Sequence, residues 1–322
     1  MNENLQELFL KQNIKDIYIK GLENYIRELR NKAKENNIKT KEIENRLNIR
    51  KYTFNWWYRQ GFPLNIFDKL NKIYFELTRK ELPINEILYS CKGTRHKSLR
   101  LPEKLNEDLA YLMGYILGDG HLSNYKKSLR LELYDVCKEH IINMKSLFKR
   151  YFNINRVYIF KDRGNFVLRI NSKVLLTFLN KIFEIPIGKK EKIKIPLIIK
   201  EKDLIKEFIA GFFDAEGCIY HNKKYGYSLT ISQYRKEILE EIKDYLKSID
   251  IYSKIRENRA SSFELKIPRK ENTLNFSKKI KLKNPNKILT LNKFLKGENT
   301  MKLTWDAHTQ TYLKPFEVQH DL

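Results

Sequence analysis

Leu112 to Gly120 (Leu-Met-Gly-Tyr-Ile-Leu-Gly-Asp-Gly) returns as Ile209 to Gly217 (Ile-Ala-Gly-Phe-Phe-Asp-Ala-Glu-Gly), and the acids near their ends, Asp119 and Glu216, lie 97 residues apart. A second landmark, the strand-like run Phe166 to Ile170, returns at the same spacing as Phe263 to Ile267. Two landmarks with one period mean an internal duplication, and duplicated units must bury their apolar faces against each other. From about Asn106 and again from Leu204, hydrophobic periodicity predicts helix, two strands, helix, two strands, helix.

Within each apolar helix the small residues stand four apart, Gly114 with Gly118 and Gly211 with Ala215. Four-residue spacing puts them on one face, where another helix backbone can approach closely. Pairing the helices across a pseudo-twofold axis makes the contact self-complementary and brings Asp119 and Glu216 together at one end. Gly120 and Gly217 follow the acids and are expected at the left-handed position that closes a helix. Two carboxylates at the negative ends of two helices repel each other and the dipoles unless a cation is present. Hard oxygen ligands without a His or Cys cluster favour Mg²⁺ over zinc, and paired acids suit phosphoester chemistry.

Charge points the same way. Sixty-three Lys and Arg against 39 Asp and Glu give a net charge of +24, which calls for a polyanion partner. The first residues have no basic flank or apolar signal core, and no apolar run approaches a membrane span of about 18 residues. The expectation is a soluble protein, cytoplasmic or nucleoid-associated and not secreted. Cys91, Cys137 and Cys218 have neither disulfide nor zinc-site spacing and read as reduced thiols.

Residues 1–98 show helical spacing without strand alternation and are expected to form an all-α, helix-turn-helix-like DNA-binding domain. Thr40 to Asn48 and Ile49 to Arg59 make its two short helices, with Arg50, Lys51, Tyr52, Asn55 and Arg59 on the exposed face. The run Cys91 to Ser98 reads as a linker on DNA. The first repeat is placed at 99–200, the second at 201–297, and a tail without assigned function at 298–322.

Leu112 to Gly120 and Ile209 to Gly217 resemble the two signature motifs of LAGLIDADG homing endonucleases in their single-chain, two-motif form. The resemblance covers roughly residues 105 to 295. Both motifs match at the glycines and the final acid–glycine pair; the first has Leu117 where the second, like the family pattern, has Asp214. The resemblance implies an α+β fold of two pseudo-twofold-related αββαββα repeats, their sheets forming a saddle over double-stranded DNA, in a monomer. It implies two or three divalent ions, Mg²⁺, at Asp119 and Glu216 beside Gly118 and Ala215, and hydrolysis of one phosphodiester on each strand. Family members place further polar groups near the metals, expected here at Gln233, its counterpart Asp135, and the 97-spaced pair Lys173 and Lys270.

Sheets with basic loop tips fit the major groove, so Lys126, Lys127, Arg130, Arg163, Arg169, Lys223 and Lys224 are the expected DNA contacts of the repeats. His121 and His221, just after the motifs, are weaker candidates as water or phosphate partners. The competing reading is a non-cleaving DNA-binding regulator, or a maturase with intron RNA as partner. An intein is disfavoured by the start at Met1 and the end Gln319 to Leu322, which lack the expected nucleophile and His-Asn pair.

Overall fold

A computed structural model describes residues 4–12, 14, 16–91, 98–125, 128–222, 226–258 and 262–296. The N-terminal module runs α1 (Leu5–Leu10), β1 (Tyr18–Lys20), α2 (Glu23–Glu35), α3 (Thr40–Leu47), α4 (Thr53–Gln60), β2 (Phe62–Pro63), α5 (Phe67–Thr78) and β3 (Leu88–Ser90). The first repeat runs α6 (Glu107–Asp119), β4 (His121–Tyr125), β5 (Ser128–Asp135), α7 (Lys138–Phe152), β6 (Tyr158–Asp162), β7 (Asn165–Asn171) and α8 (Lys173–Phe183). After α9 (Leu197–Glu201), the second repeat gives α10 (Ile205–Glu216), β8 (Gly217–Asn222), β9 (Gly226–Gln233), α11 (Lys236–Ser248), β10 (Lys254–Glu257), β11 (Phe263–Pro268) and α12 (Lys270–Lys279), followed by α13 (Pro285–Leu295).

Each repeat folds its strands into a four-stranded antiparallel sheet of the same topology, β4-β5-β7-β6 in one and β8-β9-β11-β10 in the other. Alternation explains the faces: Leu131, Leu133, Leu168 and Ile170 are buried beneath the first sheet, and Leu229, Ile231, Leu265 and Ile267 beneath the second. Asn106 and Ser172 cap the helices that follow them, accepting from the backbone N–H of Leu109 at 3.0 Å and Leu175 at 3.2 Å.

The N-terminal module is not all-α. Its helices surround a small antiparallel sheet, β2-β1-β3, in which Ile19 pairs with Phe62 on one side and Tyr89 on the other. Strands of two or three residues are too short for alternation to register, although all three of these side chains are buried. α3 and α4 form the helix pair around a turn in which Asn48 and Tyr52 both take left-handed angles, φ 57 and 68. Buried Glu44 fixes their geometry by accepting from the Phe54 N–H at 3.2 Å. The module shares its core with the first repeat: Phe9 of α1 packs edge-on against Phe178 of α8, with centroids 5.5 Å apart.

One further helix escapes the sequence reading. Asn284-Pro285 reads as a helix end, yet it begins α13, with Asn284 as N-cap and proline in the first turn, where its missing N–H costs nothing. The expected linker at 91–98 lies outside the described residues except at its ends. The tail 298–322 lies outside them altogether.

Candidate active site

α6 and α10 meet backbone to backbone. A Cβ on Gly114 would overlap the Phe208 carbonyl oxygen, one on Gly211 would overlap that of Tyr111, and one on Gly118 would strike the Cβ of Ala215. The contact continues to the C-termini, where Asp119 and Glu216 end their helices side by side, both half-buried. Gly120 and Gly217 are extended, with φ −72 and −75, and not left-handed as expected. Glycine is needed there because a Cβ would run into the preceding helical turn at Ile116 or Phe213. Each chain thus passes straight from helix into β4 or β8, leaving its acid between the helix pair and the sheet.

The acids are electrostatically uncomfortable. Burial and then the neighbouring Glu216 push the Asp119 carboxyl up to about 7, with Asp135 adding to the rise and Lys287 and Lys190 opposing it. Burial also raises Glu216, against a hydrogen bond from Gln233 and the charges of Lys190 and Lys287. The two lysines carry the signature of the duplication, lying 97 residues apart. Lys190 Nζ donates to the Leu117 carbonyl at 2.7 Å and to that of Gly118. Lys287 Nζ donates to the carbonyls of Phe213 at 2.8 Å, Gly217 at 2.7 Å and Ala215 at 3.3 Å. Each ammonium therefore caps the negative end of one motif helix, and dehydration lowers the pKa of both.

This donor set fits a hard divalent cation. The acids supply two carboxylates whose mutual repulsion and dehydration a dication would relieve. Among the described residues no cluster of three His, Cys, Asp or Glu forms a closed protein site, and an ion such as Mg²⁺, which ordinarily keeps several waters, is suited to so few protein ligands.

The family model described as a LAGLIDADG-like domain matches residues 106–182 and 203–281, the two repeats. Both repeats are LAGLIDADG-like domains, two of them in a single chain. Among curated proteins it is 30% identical over 243 residues to the probable translation initiation factor IF-2 of Methanocaldococcus jannaschii, covering 70% of this chain and 20% of the relative. It is 25% identical over 286 residues to the replication factor C small subunit of the same organism, covering 82% and 15%. The chain spans about a fifth or less of these relatives, whose named activities have nothing in common, so the shared stretch is a segment carried within larger proteins. Among solved structures, I-DmoI in complex with DNA and Mn shares 22% identity over 54% of this chain and 96% of that one, with a TM-score of 0.41. The meganuclease I-AabMI bound to uncleaved DNA shares 16% over 62% and 92%, with a TM-score of 0.43.

In this LAGLIDADG chain the sheet register settles which residues of the two halves correspond. Asp135 pairs with Phe166 and Gln233 with Phe263, so these two strand-end residues are equivalent although 98 residues apart. They have diverged in use. Gln233 hydrogen-bonds Glu216. Asp135 instead accepts from Tyr115 Oη at 2.9 Å, the Cys137 N–H at 2.7 Å and Asn284 Nδ2 at 2.9 Å, and pairs with His140 Nδ1 at 2.6 Å. From His140 Nε2 the network continues through Tyr111 Oη to Asp214 Oδ2, at 2.8 and 2.6 Å. It crosses from one repeat to the other inside the core.

Lys173 and Lys270 stand at the starts of α8 and α12, and neither is among the groups that act on Asp119 or Glu216. Lys173 pairs with Asp16 of the N-terminal module at 3.1 Å, and Lys270 is exposed. The cations acting on the acids are Lys190 and Lys287, which sequence reasoning passed over although the same period links them. Arg130 and Arg169 share the open face of the first sheet and flank Glu132, at 3.7 and 2.6 Å. Arg163 is exposed in the β6–β7 turn, and His121 is exposed on β4. Lys126, Lys127, Lys223 and Lys224 lie outside the described residues, as does the side chain of His221. The open face of the second sheet adds Thr230, Lys254, Arg256 and Lys266, none of them singled out from sequence. In the N-terminal module Arg50, Lys51 and Arg59 are exposed, beside Tyr52 and Trp56 at 66% and 45% exposure.

Proposed function

We propose that this chain is a site-specific endonuclease that hydrolyses one phosphodiester on each strand of a long double-stranded DNA target, using Mg²⁺ in two or three ion positions. The observation that carries this reading is the meeting of Asp119 and Glu216 at the ends of two helices packed without side chains between them, each carboxyl raised by burial and Asp119 further by its neighbour. Such a pair is costly unless a cation and a phosphate complete it.

Asp119 and Glu216 would hold the ions, which when bound supply Lewis-acid polarisation and an activated water. Gln233 orients the Glu216 carboxylate from one side, while Tyr115 and Asp135 form the matching but differently wired wall on the other. Lys190 and Lys287 hold the helix ends in place and keep positive charge beside the acids, where negative charge develops on the phosphate. The basic faces of the sheets bind the duplex, and the turn between α3 and α4, with Arg50 and Lys51, extends the interface along it together with Arg59 of α4. This is the work of one chain acting as a monomer.

The alternative, a regulator or an intron RNA maturase on this scaffold, is not favoured: binding alone has no use for two acids held in mutual repulsion. The test is selection of a cleaved site from a duplex library with purified protein and Mg²⁺. The expected result is one long site cut with staggered ends, and loss of double-strand cutting but not binding in Asp119→Asn and in Glu216→Gln. Full cutting by both variants would overturn the assignment of roles.

A further inference from the structure

One buried residue holds both repeats at once, the first through its side chain and the second through its backbone. Asn284, 3% exposed, caps α13 through Oδ1, which accepts from the Asn286 N–H at 3.0 Å. Its own N–H donates to Asp214 Oδ2 of the second repeat at 2.8 Å. Its Nδ2 donates to Asp135 Oδ2 of the first repeat at 2.9 Å and lies 3.3 Å from His140 Nδ1. Asp214 Oδ2 also accepts from the Lys283 N–H at 2.7 Å, so the start of α13 is pinned on both sides of the pseudo-twofold axis.

Three residues further on, in the first turn of the same helix, Lys287 reaches the three carbonyls that bracket Glu216. Among the described residues the first repeat has no such strut. Leu117 stands where the second has Asp214, and Lys190 lies on an irregular stretch between α8 and α9.

We infer that Asn284 is a positioning residue: it sets Lys287 against the acid pair and, by tying Asp135 to Asp214, keeps the two strand cuts in step. The inference rests on the endonuclease reading for its effect on cutting, but not for its effect on Lys287. A side chain serving only as a helix cap would be replaceable by serine, whose hydroxyl accepts the same N–H. Serine cannot reach Asp135.

Asn284→Ser therefore separates bridge from cap, with Asn284→Ala removing both. On a supercoiled plasmid carrying the selected site, Asn284→Ser should fold and bind as wild type yet accumulate nicked circle, the second cut slowed about tenfold by a small misplacement. In the protein alone, acylation mapped by mass spectrometry should modify Lys287 about tenfold faster in Asn284→Ser, the equivalent of losing one hydrogen bond's worth of protection, with Lys190 unchanged. Wild-type labelling of Lys287 in the serine variant, or an effect seen in the alanine variant alone, overturns the inference. A wild-type chain that cuts nothing defeats the endonuclease reading and leaves the labelling result to decide the role of Asn284.

Discussion

Gly211 lies so close to the Tyr111 carbonyl oxygen that no side-chain atom fits between them, and Gly114 stands in the same relation to Phe208. These are obstacles of backbone, which cannot rotate away. Gly211→Ala should force the two motif helices apart and cost about 3 kcal/mol or more, seen as a lower urea midpoint at unchanged slope. Gly118 is different, since its obstacle is the Ala215 methyl. Gly118→Ala should destabilise by a similar amount, and adding Ala215→Gly should restore most of it. No glycine substitution can restore Gly211→Ala.

The raised Asp119 makes metal-free stability depend on pH. Its carboxyl holds a proton up to about 7, whereas an unfolded aspartate releases it near pH 4. The native state binds more protons between these values, so stability falls as pH rises through that window. Asp119→Asn removes the loss. In EDTA it should be more stable than wild type by about 1–2 kcal/mol at about pH 8, with no advantage at about pH 4. Magnesium should reverse the order at the higher pH by stabilising only the chain that binds it. Thermal melts across the four conditions check both signs.

Lys190→Met and Lys287→Met should each slow cutting by about a hundredfold with DNA binding retained, because each removes a fixed positive charge beside the acids. Lys287→Met should also lower stability by about 1–3 kcal/mol, since it strands three carbonyls at the end of α10. Single-turnover rates and denaturant midpoints, measured on the same preparations, distinguish the two effects.

Arg50→Ala, Lys51→Ala and Arg59→Ala together should reduce the slope of log affinity against log salt by about 0.9 for each phosphate that the triple variant no longer neutralises. They should also shorten the protected stretch of DNA at one end. A footprint of unchanged length would remove α4 and the turn before it from the interface.

Much of the site was legible because duplication repeats its own landmarks. The glycine stripe, the paired acids and the eight strands of the two sheets follow from a period of 97 and the alternation of residues such as Leu131 and Leu133. Lys190 and Lys287 obey the same period but stand among 63 basic residues, where a matched pair such as Lys173 and Lys270 arises as readily and leads instead to the starts of α8 and α12. Sequence has no signal for Asn284 either, since Asn-Pro can follow the end of one helix or start another, and only packing shows that it joins Asp135 to Asp214. The small N-terminal sheet escaped because its strands owe their pairing to neighbours distant in the chain.

The register of the sheets has a further consequence. Arg169 faces Glu132 across the first sheet, whereas the equivalent position of the second, Lys266, faces Thr230. The halves share a scaffold yet offer a duplex different chemistry at matched points, so nothing obliges the recognised sequence to be a palindrome. A search for it should therefore take in asymmetric sequences as well as inverted repeats.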